Sequence, residues 1–297
     1  MTSSEKTVLR AVILTATAMI AFAANSLLCR MALGRDLIDA ASFTSIRIIA
    51  GAVTLGMIVL IRGNRKKIAA NWAGVAALFC YMVCFSFAYL SLSAGTGALL
   101  LFGAVQLTMF VIAIRHGERF SLLSWTGLFA AFSGLVYLVS PGVTAPDPLG
   151  AVLMAIAGVA WGAYSLIGRN SEQPLTATMS NFLYSVPFAV ALSALFMAKA
   201  EISATGVLLA SASGALASGL GYAVWYAALP GLTAGRAATV QLSVPVIAAL
   251  GGVVLLSEQI NLRLVVASGL TIGGIWIVLA QRSRTVAARS ERDPAAS

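Results

Sequence analysis

The chain has 297 residues; 60% of them are hydrophobic, 10% are charged, and the formal net charge is +9. Soluble domains are about 45–50% apolar and about 25% charged, so this composition excludes an ordinary soluble protein and indicates an integral membrane protein. The positive charge does not indicate nucleic-acid binding, because the basic residues lie between apolar segments instead of forming one patch.

Apolar segments of about 20 residues are long enough to cross a bilayer as helices. We predict ten such spans, which use most of the chain and leave no room for a soluble domain. In chain order they are Val8–Leu28, Ile38–Ile61, Trp72–Leu92, Gly97–Ile114, Leu122–Ser140, Leu149–Gly168, Ala177–Ala198, Thr205–Leu229, Ala234–Leu256 and Leu262–Gln281. The start of the first span resembles a cleavable signal peptide, but we expect this span to be retained because its end is copied later in the chain.

The second half of the chain repeats the first. The segment Ala21–Arg30 recurs as Ala160–Arg169, at an offset of 139 residues. Further matches at similar offsets are Phe85 with Tyr222, Gln106 with Gln241, and Glu118 with Glu258. Because each half contains an odd number of spans, tandem copies cross the membrane in opposite directions, which is the plan of many secondary transporters that bind substrate between their halves. The sequence therefore predicts an all-α integral membrane protein in which ten transmembrane helices form two inverted five-helix repeats around a central cavity.

The repeats comprise residues 1–140 and 141–281, and a basic tail, residues 282–297, follows them. With the N-terminus inside, fourteen basic residues fall on the N-terminal side of the membrane and four on the other. Basic loop residues accumulate on the cytoplasmic side. We therefore expect both termini to be cytoplasmic and the tail to be disordered.

Arg47 is the one charged side chain well inside a predicted span. An arginine in hydrocarbon costs about 2.5–3.5 kcal/mol on insertion scales, so it must pair with a polar group or face a wet cavity. Asp36 and Asp39, two to three turns away, are possible structural partners. Contact with substrate is the alternative.

Aromatic residues form a stripe in the third span and again in the eighth. Tyr81, Phe85 and Tyr89 follow one helix face at intervals of four, and Tyr222 and Tyr226 occupy equivalent positions, with Ser218 before them and Trp225 beside them. Such stripes often serve ordinary packing, but their presence in both halves favours the lining of a pathway. Tyr89 and Tyr226 lie near span ends, so an interfacial anchoring role is also open.

Amides and further aromatics occur in equivalent helices of the two halves. Side-chain amides in membrane helices either bond to another helix or bind a polar ligand, and both roles remain open here. Tyr184 is a weaker candidate in the seventh span. The substrate-binding and cavity candidates are Asn25, Tyr81, Phe85, Gln106, Trp161, Tyr164, Asn181, Tyr222, Trp225 and Gln241, and the structural or gating candidates are Arg47, Pro187, Pro245, Glu118 and Glu258.

The prolines and the spacing of polar residues predict where helices break. Pro187 and Pro245 interrupt the seventh and ninth spans, because proline removes a backbone donor. The interval from glutamine to glutamate is 12 residues in the first half and 17 in the second, so we expect the fourth helix to be short or broken. The two glutamates are expected to cap helices or act as gates on opposite membrane faces.

Enzyme chemistry is not expected. The chain has one histidine and three cysteines, without a carboxylate near the cysteines, and no nucleophile–base pair, metal cluster or phosphate-binding loop is evident. We therefore expect no catalytic residues, no metal and no cofactor. No predicted span contains an internal Asp or Glu, which favours facilitated or exchange transport over a dedicated proton relay.

Two segments carry a family resemblance. LSEQINLRLVVASGLTIGGIWIVL, residues 256–279, resembles the end of a repeat in the EamA-type branch of the drug/metabolite transporter superfamily, and TSIRIIAG, residues 44–51, resembles its second-span arginine motif. The segment RHGERFS departs from the usual pattern, and this departure, with the aromatic stripes, is similar to YddG-type exporters of aromatic amino acids. The resemblance implies a ten-helix basket, a central cavity open alternately to each side, and export from a bacterial cytoplasm across the inner membrane.

The sequence is therefore interpreted as a transporter that exports amino acids, preferably bulky or aromatic ones, and similar metabolites. The expected partners are this small-molecule substrate and membrane lipid, without nucleic acid, and the protein is expected to function as a monomer. A broad drug or cationic-metabolite exporter is the alternative, although a buried carboxylate would favour it and none is evident. A membrane-embedded enzyme is the alternative from another class.

Overall fold

The protein is described by a computed structural model over residues 3–63, 70–117, 120–169, 171–232 and 234–292. Within these ranges the regular structure is helical, apart from one isolated antiparallel bridge between Ile38 and Ile202. The helices are α1 (Ser3–Leu33), α2 (Ala40–Ile61), α3 (Trp72–Ala88), α4 (Ala94–Arg115), α5 (Leu122–Val139), α6 (Pro148–Arg169), α7 (Pro174–Leu195), α8 (Ala204–Ala212), α9 (Gly221–Ala228), α10 (Ala234–Gln241), α11 (Ser243–Leu256) and α12 (Leu262–Arg292).

The all-helical membrane fold predicted from composition is confirmed. In the described ranges, 9 segments are long and apolar enough to cross a membrane, and α3 is a shorter apolar helix of 17 residues. Two of the segments are composite: Ala204–Gly231 comprises α8, a π-helical stretch (Ser213–Leu220), α9 and a short turn, and Arg236–Leu256 comprises most of α10 and all of α11. The elements thus follow the order of the ten predicted spans.

Short polar side chains begin several of these helices. The Asp39 carboxylate accepts a hydrogen bond from the Ser42 amide at the start of α2, and Ser93 and Ser203 cap α4 and α8 in the same way. Such caps satisfy amides that have no partner inside the helix. The link residues between apolar segments therefore set where the helices begin.

The broken helix lies in the second half, so the expectation of a short or broken α4 is wrong. α4 runs for 22 residues to Arg115, whereas the equivalent segment is interrupted at Leu242, between α10 and α11. Pro245 explains the interruption, because its ring has no N–H to donate to the Gln241 carbonyl and clashes with that carbonyl in a regular helix. Residue Phe110, at the equivalent place in α4, imposes no such constraint.

Proline does not interrupt α7, which continues through Pro187 to Leu195. The buried face of α7 packs on α2, and the Ser45 hydroxyl bonds to the Ala189 carbonyl at 2.7 Å. The contacts of α7 with α2 therefore keep the helix continuous, although Pro187 supplies no backbone N–H. The irregular turns of the neighbouring segment, Ser213–Leu220, carry no proline, and they bring the Gly214 backbone against the Arg47 carbonyl where a side chain would clash.

The main helix contacts join a helix before residue 140 to one beyond residue 148. α5 packs along α12, α2 along α7, and α3 along α6, while α1 contacts both α9 and α11 and α4 contacts both α6 and α11. The Gly274 backbone lies directly against Gly127 and Ala131, so α5 and α12 approach more closely than larger side chains would permit. The two halves of the chain therefore share one core.

The last helix extends beyond its predicted end. α12 continues past Gln281 to Arg292, whereas we expected a disordered tail from residue 282. The segment RSRTVAARSER contains neither glycine nor proline and is rich in helix formers, so a helix that is already nucleated can propagate through it. Residues 293–297 lie outside the described residues.

Candidate functional site

A cavity of about 410 Å³ lies among α1, α4, α6, α9, α10 and α12. We place its mouth beside Gly168, Pro174 and Leu232, three lining residues at or next to helix ends. Gly231, next to Leu232, packs against Ala11 near the start of α1. The cavity therefore opens at the end of the molecule where the chain begins.

The cavity wall is aromatic and carries a few polar groups. None of the described residues that line it is charged. Its aromatic and amide side chains include Phe22, Trp161, Tyr164, Tyr222, Trp225, Tyr226, Gln106 and Gln241. Small-molecule sites are typically of this kind, with about 300–1,000 Å³ of mostly apolar space and a small number of placed polar groups.

Trp161 is the centre of the aromatic array. Its ring is stacked with Tyr164 at a centroid distance of 5.5 Å and with Tyr222 at 5.3 Å. Tyr81 lies 4.9 Å from it in a tilted arrangement, and Phe22 meets Tyr222 edge-on at 5.9 Å. The third-span and eighth-span stripes predicted from the sequence thus meet at one residue of α6.

A chain of hydroxyl groups holds two of the tyrosines in place. The Tyr164 hydroxyl donates to Thr178 Oγ1 at 3.1 Å, and Thr178 Oγ1 is 3.0 Å from the Tyr226 hydroxyl. Asn181 Nδ2 lies 3.5 Å from the same Tyr164 oxygen. Asn181, predicted as a cavity residue, is absent from the described cavity wall and supports Tyr164 from behind.

The two glutamines line the same cavity. Gln241 Nε2 donates to the Ala237 carbonyl of its own helix at 3.4 Å, and no hydrogen bond joins it to Gln106 among the contacts of the described residues. Of the two roles left open for these amides, a bond to another helix is not observed for either among the contacts of the described residues. Both remain near the cavity space, where a polar ligand can reach them.

Beyond the aromatic array lies a second, much smaller space of about 20 Å³, which we call the inner chamber. Phe22, Trp161 and Tyr222 line both the cavity and the inner chamber, so their rings form a partition between the two. The other chamber residues are Asn25, Ser26, Tyr81, Phe85, Leu101, Phe102, Ala217 and Ser218. The volume is enough for about one water molecule.

Arg47 lies against the wall of the inner chamber and is 0% exposed. Its Nε donates to Ser218 Oγ at 3.3 Å, and its Nη2 donates to the Tyr81 hydroxyl at 3.1 Å. The guanidinium carbon also lies 4.9 Å from the centre of the Phe85 ring. Nη1 is buried without a hydrogen-bond partner among the described residues.

Asp36 and Asp39 do not pair with Arg47, so the expected acidic tether is wrong. The Asp39 side chain instead accepts from the amides of Ser42 and Glu201. Arg47 begins two turns deeper and points toward α3 and the π-helical stretch, where only hydroxyls and aromatic faces are available. The aspartates were suggested because they are near Arg47 along the chain. That spacing does not determine the direction in which the Arg47 side chain points.

The chamber also contains a buried amide from α1. Asn25 Nδ2 donates to the Tyr81 hydroxyl at 3.3 Å, and Asn25 Oδ1 accepts from Ser213 Oγ at 2.7 Å. Tyr81 oxygen is therefore shared by Asn25 and Arg47. Ser213 is a member of this network that the sequence did not suggest, because its place depends on the π-helical turns.

The end of the molecule opposite the cavity mouth is closed by contacts between the two halves of the chain. Glu258 Oε1 is 3.2 Å from Arg30 Nε, and Glu258 Oε2 accepts from the Ala94 amide at 2.9 Å. Arg30 Nη1 donates to the carbonyls of Tyr89 and Leu90. We call this set the closing cluster. The sequence missed Arg30, although its recurrence as Arg169 was a signal.

The same end carries further contacts between α2 and α8. Ile38 and Ile202 form the isolated bridge, and Ser203 Oγ donates to the Leu37 carbonyl at 2.6 Å. Glu118, the predicted counterpart of Glu258, lies outside the described residues. Of the two glutamates predicted to cap helices, Glu258 is therefore the one within the described residues, and it accepts a hydrogen bond from the first amide of α4, next to the Ser93 cap.

Three candidates lie away from the cavity. Tyr89 is fully buried with its hydroxyl 3.4 Å from the Ala94 carbonyl, so its alternative role as an interfacial anchor is wrong. Tyr184 is exposed and packs on Trp72 at the outer surface of the bundle. Pro187 is also exposed.

Comparison with known proteins identifies the family. The profile of the EamA-like transporter family matches residues 9–140 and again residues 148–280. The chain belongs to the EamA-like transporter family. The cavity and its closed opposite end are therefore features of an EamA-like transporter, within the drug/metabolite transporter superfamily that the sequence resembles.

Relatives of this EamA-like transporter do not specify a substrate. An uncharacterized protein of Pseudomonas aeruginosa is 49% identical over 274 residues, which cover 92% of this chain and 96% of the relative. An uncharacterized transporter of Archaeoglobus fulgidus is 28% identical and covers 78% of this chain and 86% of its own. The uncharacterized transporter YoaV of Bacillus subtilis is 23% identical, and the match covers 79% of this chain and 85% of the relative.

The fold of this EamA-like transporter is represented among solved structures. One crystal structure superposes with a TM-score of 0.62 at 20% identity, covering 89% of this chain and 98% of that one. At this identity the likeness concerns the fold.

Proposed function

We propose that this EamA-like transporter exports amino acids, preferentially aromatic or bulky ones, and related small metabolites from a bacterial cytoplasm. In this proposal it resembles the YddG-type exporters and acts as a monomer in the inner membrane, with both termini cytoplasmic. The ligand side chain stacks on Trp161 and Tyr222. Gln106 and Gln241 hydrogen-bond to its polar groups.

One observation carries the proposal: the cavity wall combines stacked aromatic rings with side-chain amides and, over its described residues, has no charged group. Aromatic rings attract one another in stacked and edge-to-face arrangements, each worth about 0.5–1.5 kcal/mol beyond the burial of area. A phosphorylated substrate would require several cationic donors in the wall. A neutral or zwitterionic ligand with a large apolar part fits this wall best.

We propose transport by alternating access, and the arrangement of the two ends supports it. The cavity is open where α1 begins and closed at the Arg30–Glu258 pair, so we interpret the structure as an inward-open form. The packing supports inverted halves: α3 contacts α6, and the helices equivalent to them, α8 and α1, also contact each other. Export then requires the closing cluster to separate while the opposite mouth narrows.

The alternative of a broad exporter of cationic drugs has less support. The aromatic wall would suit such ligands through cation–π contacts. The described cavity wall, however, has no carboxylate to neutralise the positive charge. We therefore favour the amino-acid substrate.

Transport by purified protein in liposomes tests the proposal. Vesicles loaded with labelled L-tryptophan, L-phenylalanine, L-alanine or glucose 6-phosphate should release the two aromatic amino acids faster than empty liposomes do, with less release of alanine and none of the phosphate. If aromatic amino acids leave protein-containing vesicles no faster than they leave loaded vesicles without protein, the proposal is wrong.

Paired tryptophan variants link that transport to the cavity. Trp161→Ala removes the centre of the aromatic array and should lower the transport of aromatic substrates by about tenfold or more, since the ligand loses one stacking partner and Tyr164 and Tyr222 lose the ring that holds them. Trp276→Ala is the matched control, because Trp276 is exposed on the outside of α12. Similar loss in both variants would mean that the array does not bind substrate.

A further inference from the structure

We infer that the inner chamber and Arg47 form a binding subsite for a monovalent anionic group, either the carboxylate of the transported molecule or a free halide ion. The inference deepens the proposed function and rests on it for the first of these two sources. It begins from a charge that the fold leaves uncompensated.

Arg47 is a buried cation without a buried anion. Its side chain is fully inaccessible, and it forms no ion pair with the described carboxylates. Of the ten acidic residues of the chain, only Asp39 falls within a predicted span, and it lies at the outer end of that span. An isolated buried charge is unfavourable unless it is paired, so this guanidinium attracts any anion that reaches it.

The groups around Arg47 are those that would complete an anion site. Ser218, Tyr81 and Phe85 contact the guanidinium, and all three line the inner chamber. Nη1 has a free donor among the described contacts. Asn25 adds an amide on the opposite side of the Tyr81 hydroxyl. The chamber is thus a mostly apolar pocket with a few placed polar groups, and a buried positive charge lies behind one wall.

The partition determines when an anion can enter. Phe22, Trp161 and Tyr222 separate the chamber from the cavity, and the chamber in this form has about 20 Å³, too little for a carboxylate. The same rings are those proposed to stack on the ligand. Insertion of an aromatic ligand among them would part Trp161 and Tyr222 and let its carboxylate reach Arg47, while a halide ion needs a smaller opening.

The first test uses the unaltered full-length protein in detergent and measures thermal stabilisation over a concentration series. L-phenylalanine should bind at least about tenfold more tightly than L-phenylalaninamide or phenethylamine, which retain the ring and the amine but lack the carboxylate. In parallel, sodium chloride is compared with sodium methanesulfonate at equal ionic strength. Carboxylate dependence assigns the site to the substrate, and halide dependence assigns it to a free ion.

Variants then locate the effect at the chamber. Arg47→Met should reduce the preference for the carboxylate, or for chloride, to less than about threefold, and Arg47→Lys should restore part of it. Because loss of Arg47 can disturb folding, Ala217→Val provides a second route: it fills the chamber without changing charge, since Ala217 lines it. Ala215→Val, in the same π-helical stretch but absent from the chamber wall, is the matched control.

The outcomes separate the two proposals. If aromatic amino acids are transported but neither the carboxylate nor chloride affects binding, the anion subsite is wrong and the proposed function stands. If amino acids are neither bound nor transported while chloride stabilises the protein in an Arg47-dependent way, the subsite stands with a free ion. Absence of both responses would overturn both proposals.

Discussion

The closing cluster provides the sharpest prediction. Glu258 receives two hydrogen bonds at the end opposite the cavity mouth, from Arg30 Nε at 3.2 Å and from the Ala94 amide at 2.9 Å. Both bonds join parts of the chain that must separate if that end opens. Glu258→Gln retains the shape of the side chain but removes its charge and one acceptor oxygen.

The magnitude follows from the difference between charged and neutral hydrogen bonds. A hydrogen bond to a charged group contributes about 1.5–3 kcal/mol, against about 0.5–1.5 kcal/mol for a neutral one. The two side chains are 23% and 16% exposed, so solvent screens part of this difference. We expect the closed form to lose about 1–2 kcal/mol, which raises the ratio of outward-open to closed molecules about 5–30-fold.

Distance measurements between two spin labels test this change. Labels at Arg35→Cys and Gln259→Cys, both exposed on the closed end, are placed in a background in which Cys29, Cys80 and Cys84 are replaced by alanine. The parent should show one main distance, and Glu258→Gln should add a longer one. Glu201→Gln is the matched control, because Glu201 meets Asp39 through its backbone.

A double-mutant cycle identifies the partner. Arg30→Gln alone should shift the distances in the same direction, and the double variant should shift them by less than the sum of the single variants, because both remove the same pair. If Glu258→Gln folds normally and keeps the parental distance distribution, the closing cluster does not hold this end shut and the argument fails.

Three further predictions concern packing, the hydroxyl chain and orientation. Gly274→Leu should lower stability by about 1–3 kcal/mol, seen as a lower melting temperature, because its side chain would meet the Gly127 and Ala131 backbones; Gly273→Leu, where space is open, should change it little. Thr178→Val should cost about 0.5–1.5 kcal/mol of stability and weaken aromatic substrate binding, because Tyr164 and Tyr226 lose their shared partner; equal substrate affinity in calorimetry would contradict that role. Cysteines at Arg62 and Lys199 should react with impermeant maleimide from opposite sides of the membrane, and labelling from one side would contradict the inverted halves.

The chemistry of the cavity was largely predictable from the sequence. Tyr81 and Tyr222 were suggested by stripes in equivalent helices, Trp161 by its place in the sixth span, and Gln106 and Gln241 by their recurrence. Helical periodicity and the hydrocarbon environment are local constraints, so they can be detected in a single chain. The same reasoning could not tell which candidates line space and which support others, as Asn181 supports Tyr164.

The main errors concern the partners of Arg47 and the continuity of helices. The partners of Arg47 were sought among nearby aspartates, yet they are Tyr81, 34 positions away, and Ser218, 171 positions away. The interruption predicted near Pro245 is confirmed, whereas the break expected in α4 is absent, because a shorter interval between glutamine and glutamate does not by itself remove a helical hydrogen bond. Contacts such as those of Arg47 depend on side-chain direction and on the alignment of distant helices. The spacing of residues along the sequence determines neither of these.

The sequence by itself determined that this protein is a helical membrane protein, because about 20 apolar residues in succession satisfy their backbone only as a helix in lipid. It also supplied the aromatic and amide residues of the cavity. Only the tertiary structure decided that Trp161 and Tyr222 lie between a large cavity and a small chamber, and that Glu258 meets Arg30 across the halves. Those relations depend on how helices far apart in the chain pack, and packing is a property of the assembled bundle.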